Sequence, residues 1–363
     1  MEKRNEFLDI LKGVAIILVI IGHCIQYGSG SNYFSQEMYY SNGLFKFIYS
    51  FHMPIFMLIS GYFYYFTIKK YSTKEIIKSR FTNLLLPIFA FAIIKYLLNV
   101  ILKLHMFNGV VSYVIRFFII CFSNLWFLWA IFVCSLGVLL INKLFKDNII
   151  IYGLIFIISF FIPDPIFLNL YKFMYPYFLT GYLINKYNKI GEVKSIVVNK
   201  KYFIITSVVY FLLLVLYNKN SYIYTTGHFI LRDKAIFFLL NDIYRMIIGF
   251  IGSLFITMIM YFIYKKVKLN PLIYIGKKSL GIYAVSDIIF VCILPIVTDS
   301  LQGLNIAYTL LEIVIILVCC LGIVNLLEKN KLTKRIFLGR KNKCNKIKGS
   351  EKNEHQLVSS DIC

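Results

Sequence analysis

Long runs of apolar residues recur along the chain, separated by short polar connectors in which lysine and arginine predominate. Runs near 9–27, 44–66, 82–103, 124–145, 148–163, 167–185, 202–218, 236–264, 271–296 and 305–328 suit helices crossing a hydrocarbon core of ~30 Å. A helix satisfies its backbone groups internally, as that solvent requires. The pattern therefore predicts an all-α, polytopic transmembrane helical bundle of about ten spans. The stretch 106–122 is apolar but interrupted by Arg116 and reads as a partly inserted or interfacial segment. No internal repeat is visible. The expected organisation is one integral-membrane domain over 1–328 and a basic cytoplasmic tail over 329–363, partly disordered.

Composition agrees with that solvent. Of 363 residues, 59% are hydrophobic and 15% charged, well above the apolar content of a soluble domain. Lys and Arg number 39 against 17 Asp and Glu, an excess that in a soluble protein suggests a nucleic-acid partner. Here the cations lie between the spans, which is how orientation in a bilayer is encoded, so no nucleic-acid partner is expected. Lys69, Lys70, Lys74, Lys78 and Arg80 follow span 2; Lys265, Lys266, Lys268, Lys277 and Lys278 follow span 8; "KLTKRIFLGRKNKCNKIKG" follows span 10. The alternate connectors 28–43 and 297–304 carry neither Lys nor Arg. Both termini are thus expected inside. The outer loop 219–235 breaks the pattern with Lys219, Arg232 and Lys234. The first run lacks a small-x-small cleavage site and is expected to be retained as a span. The eight cysteines show no metal-ligand spacing with histidine, so no metal site is expected.

Candidate chemistry concentrates in the first two spans. Lys12 and His23 are eleven residues apart. At about 100° per residue they share a helix face, separated by a rise of ~16 Å. Asp9 lies near the same face. Span 2 runs the opposite way and brings His52, in "FHMPIFMLISGY", to a similar depth. Singly, each histidine also reads as an interfacial residue and the lysine as a snorkelling one. Ionisable groups within a bilayer cost ~2.5–3.5 kcal/mol on insertion scales, which makes their shared face a functional candidate. Trp126 and Trp129 are placed either to stack on a sugar ring or to join an aromatic belt. Asp242 and Arg245, three apart on a helix, form a neutralising pair or contact an acceptor. His228 and Arg232 read as solvated loop residues, and Arg116 is a weaker candidate. Lys95 and Glu312 are isolated intramembrane charges without an assignable partner. Ser60 and Gly61 fit close helix packing.

The openings "RNEFLDILKGVAIILVIIGH" and "FHMPIFMLISGY" resemble the integral-membrane acyltransferase-3 family, ten-span enzymes that acylate bacterial surface polysaccharides and related carbohydrates. Lys12 to His23 matches that family's first motif, a basic residue, ten residues and a histidine. "KSRFTNLLLP", "LWFLWAIFV", "YPYFLTGYLI" and "IGKKSLGIYAVS" extend the likeness over roughly 4–328. Two positions depart from it. The family's Arg-x-x-Arg reads Arg80-Phe81-Thr82-Asn83, and the histidine often found after Ile-Tyr in span 9 is Ser286, followed by Asp287. The resemblance implies an O-acyltransferase, most simply an O-acetyltransferase of the bacterial cytoplasmic membrane. Its donor would be acetyl-CoA or another acyl-CoA, with no permanently bound cofactor. Its acceptor would be a capsule- or O-antigen-type polysaccharide or lipid-linked saccharide, with polysaccharide-assembly proteins as possible partners. In those terms His23 and His52 are the catalytic candidates. Lys12, Arg80 and Asp9 are donor-side candidates at the cytoplasmic mouth, and Trp126, Asp242 and Arg245 are acceptor-side candidates. The rival expectation is a polysaccharide or lipid-linked sugar transporter or flippase, since such proteins also bury charge near the midplane. A third keeps the acyltransferase and puts its acceptor in the cytosol.

Overall fold

The structure is a computed structural model that describes residues 5–27, 38–102, 110–164, 166–222, 228, 234–294, 296 and 306–340. The described residues form an all-helical bundle. Its elements are α1 (Glu6–Tyr27), α2 (Gly43–Lys70), α3 (Thr73–Ile101), α4 (Val110–Ser123), α5 (Trp126–Leu144), α6 (Ile149–Ser159) and α7 (Ile166–Lys186). They continue with α8 (Ile190–Val198), α9 (Lys200–Leu216), α10 (Ala235–Tyr264), α11 (Asn270–Lys277), α12 (Ser279–Ile288), α13 (Ile306–Lys329) and α14 (Lys331–Leu338). Arg232, the connector 297–304, most of 28–43 and the tail beyond Arg340 lie outside the described residues.

Local sequence explains where helices start. Asn5, Asn42, Asn148, Asn199 and Asn330 each accept a first-turn backbone N–H, and Ser72 with Glu75 forms a capping box. Within α3 the segment Phe81–Leu85 is a π-turn just before Pro87. A second π-turn, Ile289–Ile293, continues α12 immediately after Asp287 and Ile288. Such wide turns re-aim the side chains around them.

Six described helices are long and apolar enough to cross a membrane: α1, α2, α3, α5, α10 and the Thr309–Lys329 part of α13. The bent pair α8 and α9, which turn 82° at Asn199, makes up to seven. Among the expected spans, α6 is shorter, with 11 residues. The run 271–296 is broken into α11 and α12 at Lys277 and Lys278. Of the segment 106–122, the described part from residue 110 lies in α4, a helix of 14 residues, with Arg116 half-buried. Membrane character shows in which face is polar. On α9, Thr206 and Tyr210 are buried while Ile204, Val208, Leu212 and Val215 face outward. That is the reverse of a water-soluble helix.

α1 is the central helix, packed against α2, α10, α11, α12 and α13. Small residues bring it close to α11: a Cβ on Gly276 would stand 1.8 Å from the Asp9 carbonyl oxygen, and one on Gly13 2.2 Å from that of Leu272. α2 and α7 meet the same way, with a Cβ on Gly61 reaching within 1.9 Å of the Phe178 carbonyl oxygen. The packing role expected of Gly61 is what the fold uses. Ser60 folds its hydroxyl back onto the Phe56 carbonyl at 2.8 Å, hiding its polarity within its own helix.

Candidate functional site

Three cavities follow one another along a seam beside α2. The largest, about 560 Å³, lies at one end of the bundle. Lys12, Lys78, Arg80, Lys277, Lys278, Lys334 and Arg340 line it, against the carboxylates Glu75 and Glu328. Basic clusters far apart in sequence thus converge on one concave surface. Lys12 is buried and paired with Asp9 at 2.9 Å, one turn earlier on α1. Arg80 is 6% exposed, with its guanidinium 4.5 Å from the Tyr64 ring centre. Asn83 lines the same cavity.

Lys12, Ser279 and Leu280 also line a second, narrow cavity of about 30 Å³. Its other walls are mostly apolar: Ile16, Val19, Met53, Phe56, Phe127 and Tyr283 are among them. Met53 in turn belongs to a third cavity, again about 30 Å³, at the opposite end of the seam. There His52, Trp126 and Arg245 come together with Tyr49, Phe173, Tyr177, Tyr217 and Tyr222. Pro54, which cannot donate to the Ser50 carbonyl, lines it beside Ser50. Three sequence candidates from three helices therefore meet in one aromatic pocket.

The two imidazoles differ. His52 is buried, with Nδ1 2.8 Å from the Ile48 carbonyl oxygen. A carbonyl only accepts, so neutral His52 carries its proton on Nδ1 and its lone pair on Nε2. His23 is half-buried, its ring 5.2 Å from that of Phe290 and 5.8 Å from that of Tyr27. Its Nδ1 is buried without a hydrogen-bond partner among the described residues. His23 is not among the residues lining the three cavities. Tyr49 links the pair: its hydroxyl donates to Gln26 Oε1 at 3.0 Å, and its ring lies 4.8 Å from that of His52.

Other charges acquire partners that spacing does not reveal. Lys95 on α3 pairs with Asp287 on α12 at 2.7 Å. Asn99, one turn after Lys95, donates to the Lys95 carbonyl at 2.7 Å. Glu312 is buried with both carboxyl oxygens lacking a hydrogen-bond partner among the described residues.

His228 is not a solvated loop residue; it is 2% exposed. Its Nδ1 meets Asp242 Oδ1 at 2.5 Å, and the same oxygen takes Arg245 Nη1 at 2.9 Å. Arg245 also donates to the carbonyls of Ser221 and Asn220, pinning the start of the outer loop onto α10. The His228 backbone N–H donates to Asp164, which pairs with Lys172 at 2.6 Å. Burial opposes ionisation of Asp164, but the bonds from Lys172 and from the His228 amide outweigh it and hold its carboxyl below the usual range. So Asp242 serves as a neutralising partner, while Arg245 both neutralises and lines the pocket. Trp129 is separated from Trp126 in role: its indole N–H donates to the Cys121 carbonyl at 3.2 Å, and its ring packs on Phe167.

Chemically, the arrangement offers anion binding at one end, an apolar slot in the middle, and an oriented base among aromatic rings at the other. Comparison with known proteins points the same way. A family model described as "Acyltransferase domain" matches residues 5–325. The chain is similar to Nodulation protein NolL of Sinorhizobium fredii, 32% identical over 187 residues, or 50% of this chain and 49% of that protein. It is also similar to Nodulation protein NolL of Mesorhizobium japonicum, 27% identical over 226 residues, covering 61% of this chain and 59% of that one. The matched region thus spans about half to three-fifths of the length of these curated relatives. No solved structure matches the chain. With its family model running through nearly all the helices that build the three cavities, the chain belongs to the acyltransferase-3 family.

Proposed function

We propose that the protein is an O-acyltransferase of the bacterial cytoplasmic membrane. It moves an acyl group, most simply acetyl, from cytosolic acyl-CoA to a hydroxyl of a surface or lipid-linked polysaccharide. The observation that carries this reading is the stack of cavities sharing Lys12, Ser279 and Leu280 at one junction and Met53 at the next. The basic cavity suits the phosphates of the donor. The narrow slot, about 30 Å³, marks the path an extended pantetheine arm would follow once its apolar walls part. The pocket of His52, Trp126 and Arg245, about 30 Å³, offers an acceptor aromatic rings and a guanidinium, and its side chains would have to part to admit a sugar ring.

In this reading His52 Nε2 takes the proton of the acceptor hydroxyl as its oxygen attacks the thioester carbonyl. The C–S bond breaks, and the leaving thiolate takes the proton that His52 Nε2 has accepted, with His23 as the second candidate for that transfer. Atoms and charge balance: alcohol and thioester become ester and thiol. Lys12 and Arg80 hold the donor, and Asp9 orients Lys12.

Purified protein incubated with labelled acetyl-CoA tests this directly. Transfer of label to a saccharide, or slow release of labelled acetate, is expected. Label left intact under conditions where the donor binds would favour a transporter. The surface-glycan NMR spectrum of a deletion strain is expected to lose an acyl signal.

A further inference from the structure

One wall of the basic cavity comes from the C-terminal end of the described chain. Asn330 caps α14, and Gly339 and Arg340 then turn back onto the π-turn of α3. Gly339 sits at φ +62°, where a Cβ would stand 2.3 Å from the Asn83 carbonyl oxygen, so the position needs glycine on both counts. This turn sets Arg340 into the cavity. Its Nη2 donates to the Lys277 carbonyl and its Nη1 pairs with Glu328 Oε1. The other oxygen of Glu328 takes Lys278 Nζ. One carboxylate therefore stands between two cations from different elements. Lys278 is only 7% exposed and sits at the break between α11 and α12. The first turn of α12 has no side-chain cap and opens on the same cavity through Ser279. A helix N-terminus adds positive potential there.

We propose that Lys278, Arg340 and the first turn of α12 form a phosphate-monoester subsite, and that Glu328 is its resident counter-anion, displaced when the phosphate arrives. A carboxylate shared by two cations holds them at a spacing that one larger anion can bridge. A monoester phosphate brings nearly two charges and three acceptor oxygens against the single charge of Glu328. On this view α14 is part of the donor site rather than the beginning of a tail. The inference rests on the acyl-CoA reading above and names the group it would hold, the 3′-phosphate of the donor nucleotide. A phosphatidic acid headgroup presents the same chemistry, and the test separates the two.

The full-length protein is assayed in nanodiscs of zwitterionic lipid with acetyl-CoA and with its 3′-dephospho form. Loss of one charge-assisted hydrogen bond corresponds to roughly 10-fold in affinity. Arg340→Gln is expected to raise the KM for acetyl-CoA by about that factor and to leave the KM for the dephospho donor where it was. Glu328→Gln is expected to lower the KM for acetyl-CoA only. Where Arg340→Gln does not accumulate, Arg340→Lys, which keeps the charge and loses the fork, is expected to show a smaller rise. Equal shifts for both donors, or none, overturn the assignment. Sensitivity to Arg340→Gln that emerges only with phosphatidic acid in the discs assigns the subsite to lipid and also overturns it. Equilibrium binding of adenosine 3′,5′-bisphosphate needs no turnover. Its weakening by Arg340→Gln supports the subsite even if transfer is never observed, an outcome that would count against the acyltransferase reading alone.

Discussion

The two ends of the cavity stack are built on opposite principles. The basic one is wide, about 560 Å³, and its cations come from several elements: Lys78 and Arg80 before the α3 π-turn, Lys277 and Lys278 at the α11–α12 break, and Lys334 and Arg340 in and after α14. The aromatic one is about 30 Å³, lined by tyrosines, Phe173 and Trp126, with one guanidinium and one imidazole. A wide cationic bowl tolerates a large, flexible, charged ligand. A small aromatic pocket holding an oriented base demands a defined position from whatever enters it. Under the proposed reaction, recognition of charge falls to one end and chemistry to the other.

The sharpest way to break that division is to remove the imidazoles. His52→Ala and His23→Ala are each expected to lower acyl transfer by ~10²–10⁴-fold, the range for a lost acid or base. Donor binding at the basic end should survive, as read by binding of labelled acetyl-CoA. Loss with His52→Ala but not His23→Ala would place the whole reaction in the aromatic pocket, since of the two histidines only His52 lines it. Wild-type transfer in both variants would end the proposed chemistry. Next in size, Arg245→Met leaves Asp242 without its guanidinium partner in a site where both side chains are about 2–3% exposed. Breaking a buried pair costs ~3–5 kcal/mol, so a large fall in unfolding temperature in detergent is expected. A retained unfolding temperature would show that the outer network is not a structural clamp.

Gly276→Val probes the α1–α11 crossing beside the basic cavity. It drives a side chain into the Asp9 carbonyl and should cost ~1–3 kcal/mol by overpacking while displacing the Asp9–Lys12 pair. Unfolding temperature and the KM for donor are both expected to worsen. The smallest effect concerns pH. Asp164 has a folded-state pKa below its ordinary value, so its contribution to stability is complete above that ordinary value, ~3.9. It disappears as pH falls through the lower, folded value. Acid titration of the unfolding temperature should therefore be flatter in Asp164→Asn than in the wild type. Identical titrations would show that the bonds of Asp164 to Lys172 and to the His228 amide do not stabilise the fold.

Much of this was open to reading from residues in order. Helices followed from apolar runs because a bilayer leaves few other ways to satisfy the backbone. The common face of Lys12 and His23 followed from helical pitch, and the packing role of Gly61 from its lack of a side chain. The pairing of Asp242 with Arg245 was legible because the partners are one turn apart. The buried state of His228 was not. It depends on Asp164, Asp242 and Phe173, three residues on separate stretches of chain, which its neighbours in sequence do not announce.

What the sequence determined by itself is whatever depends on one helix at a time: the solvent, the existence of the spans, their charged ends, and which residues share a face. Tertiary structure alone decided which ends converge. It paired Lys95 with Asp287, set Glu328 between Lys278 and Arg340, and gathered His52, Trp126 and Arg245 into one pocket. Helical pitch is a property of local backbone geometry, whereas these meetings depend on how rigid helices pack. Close glycine crossings, π-turns and a left-handed glycine steer that packing, and each acts on residues far away along the chain.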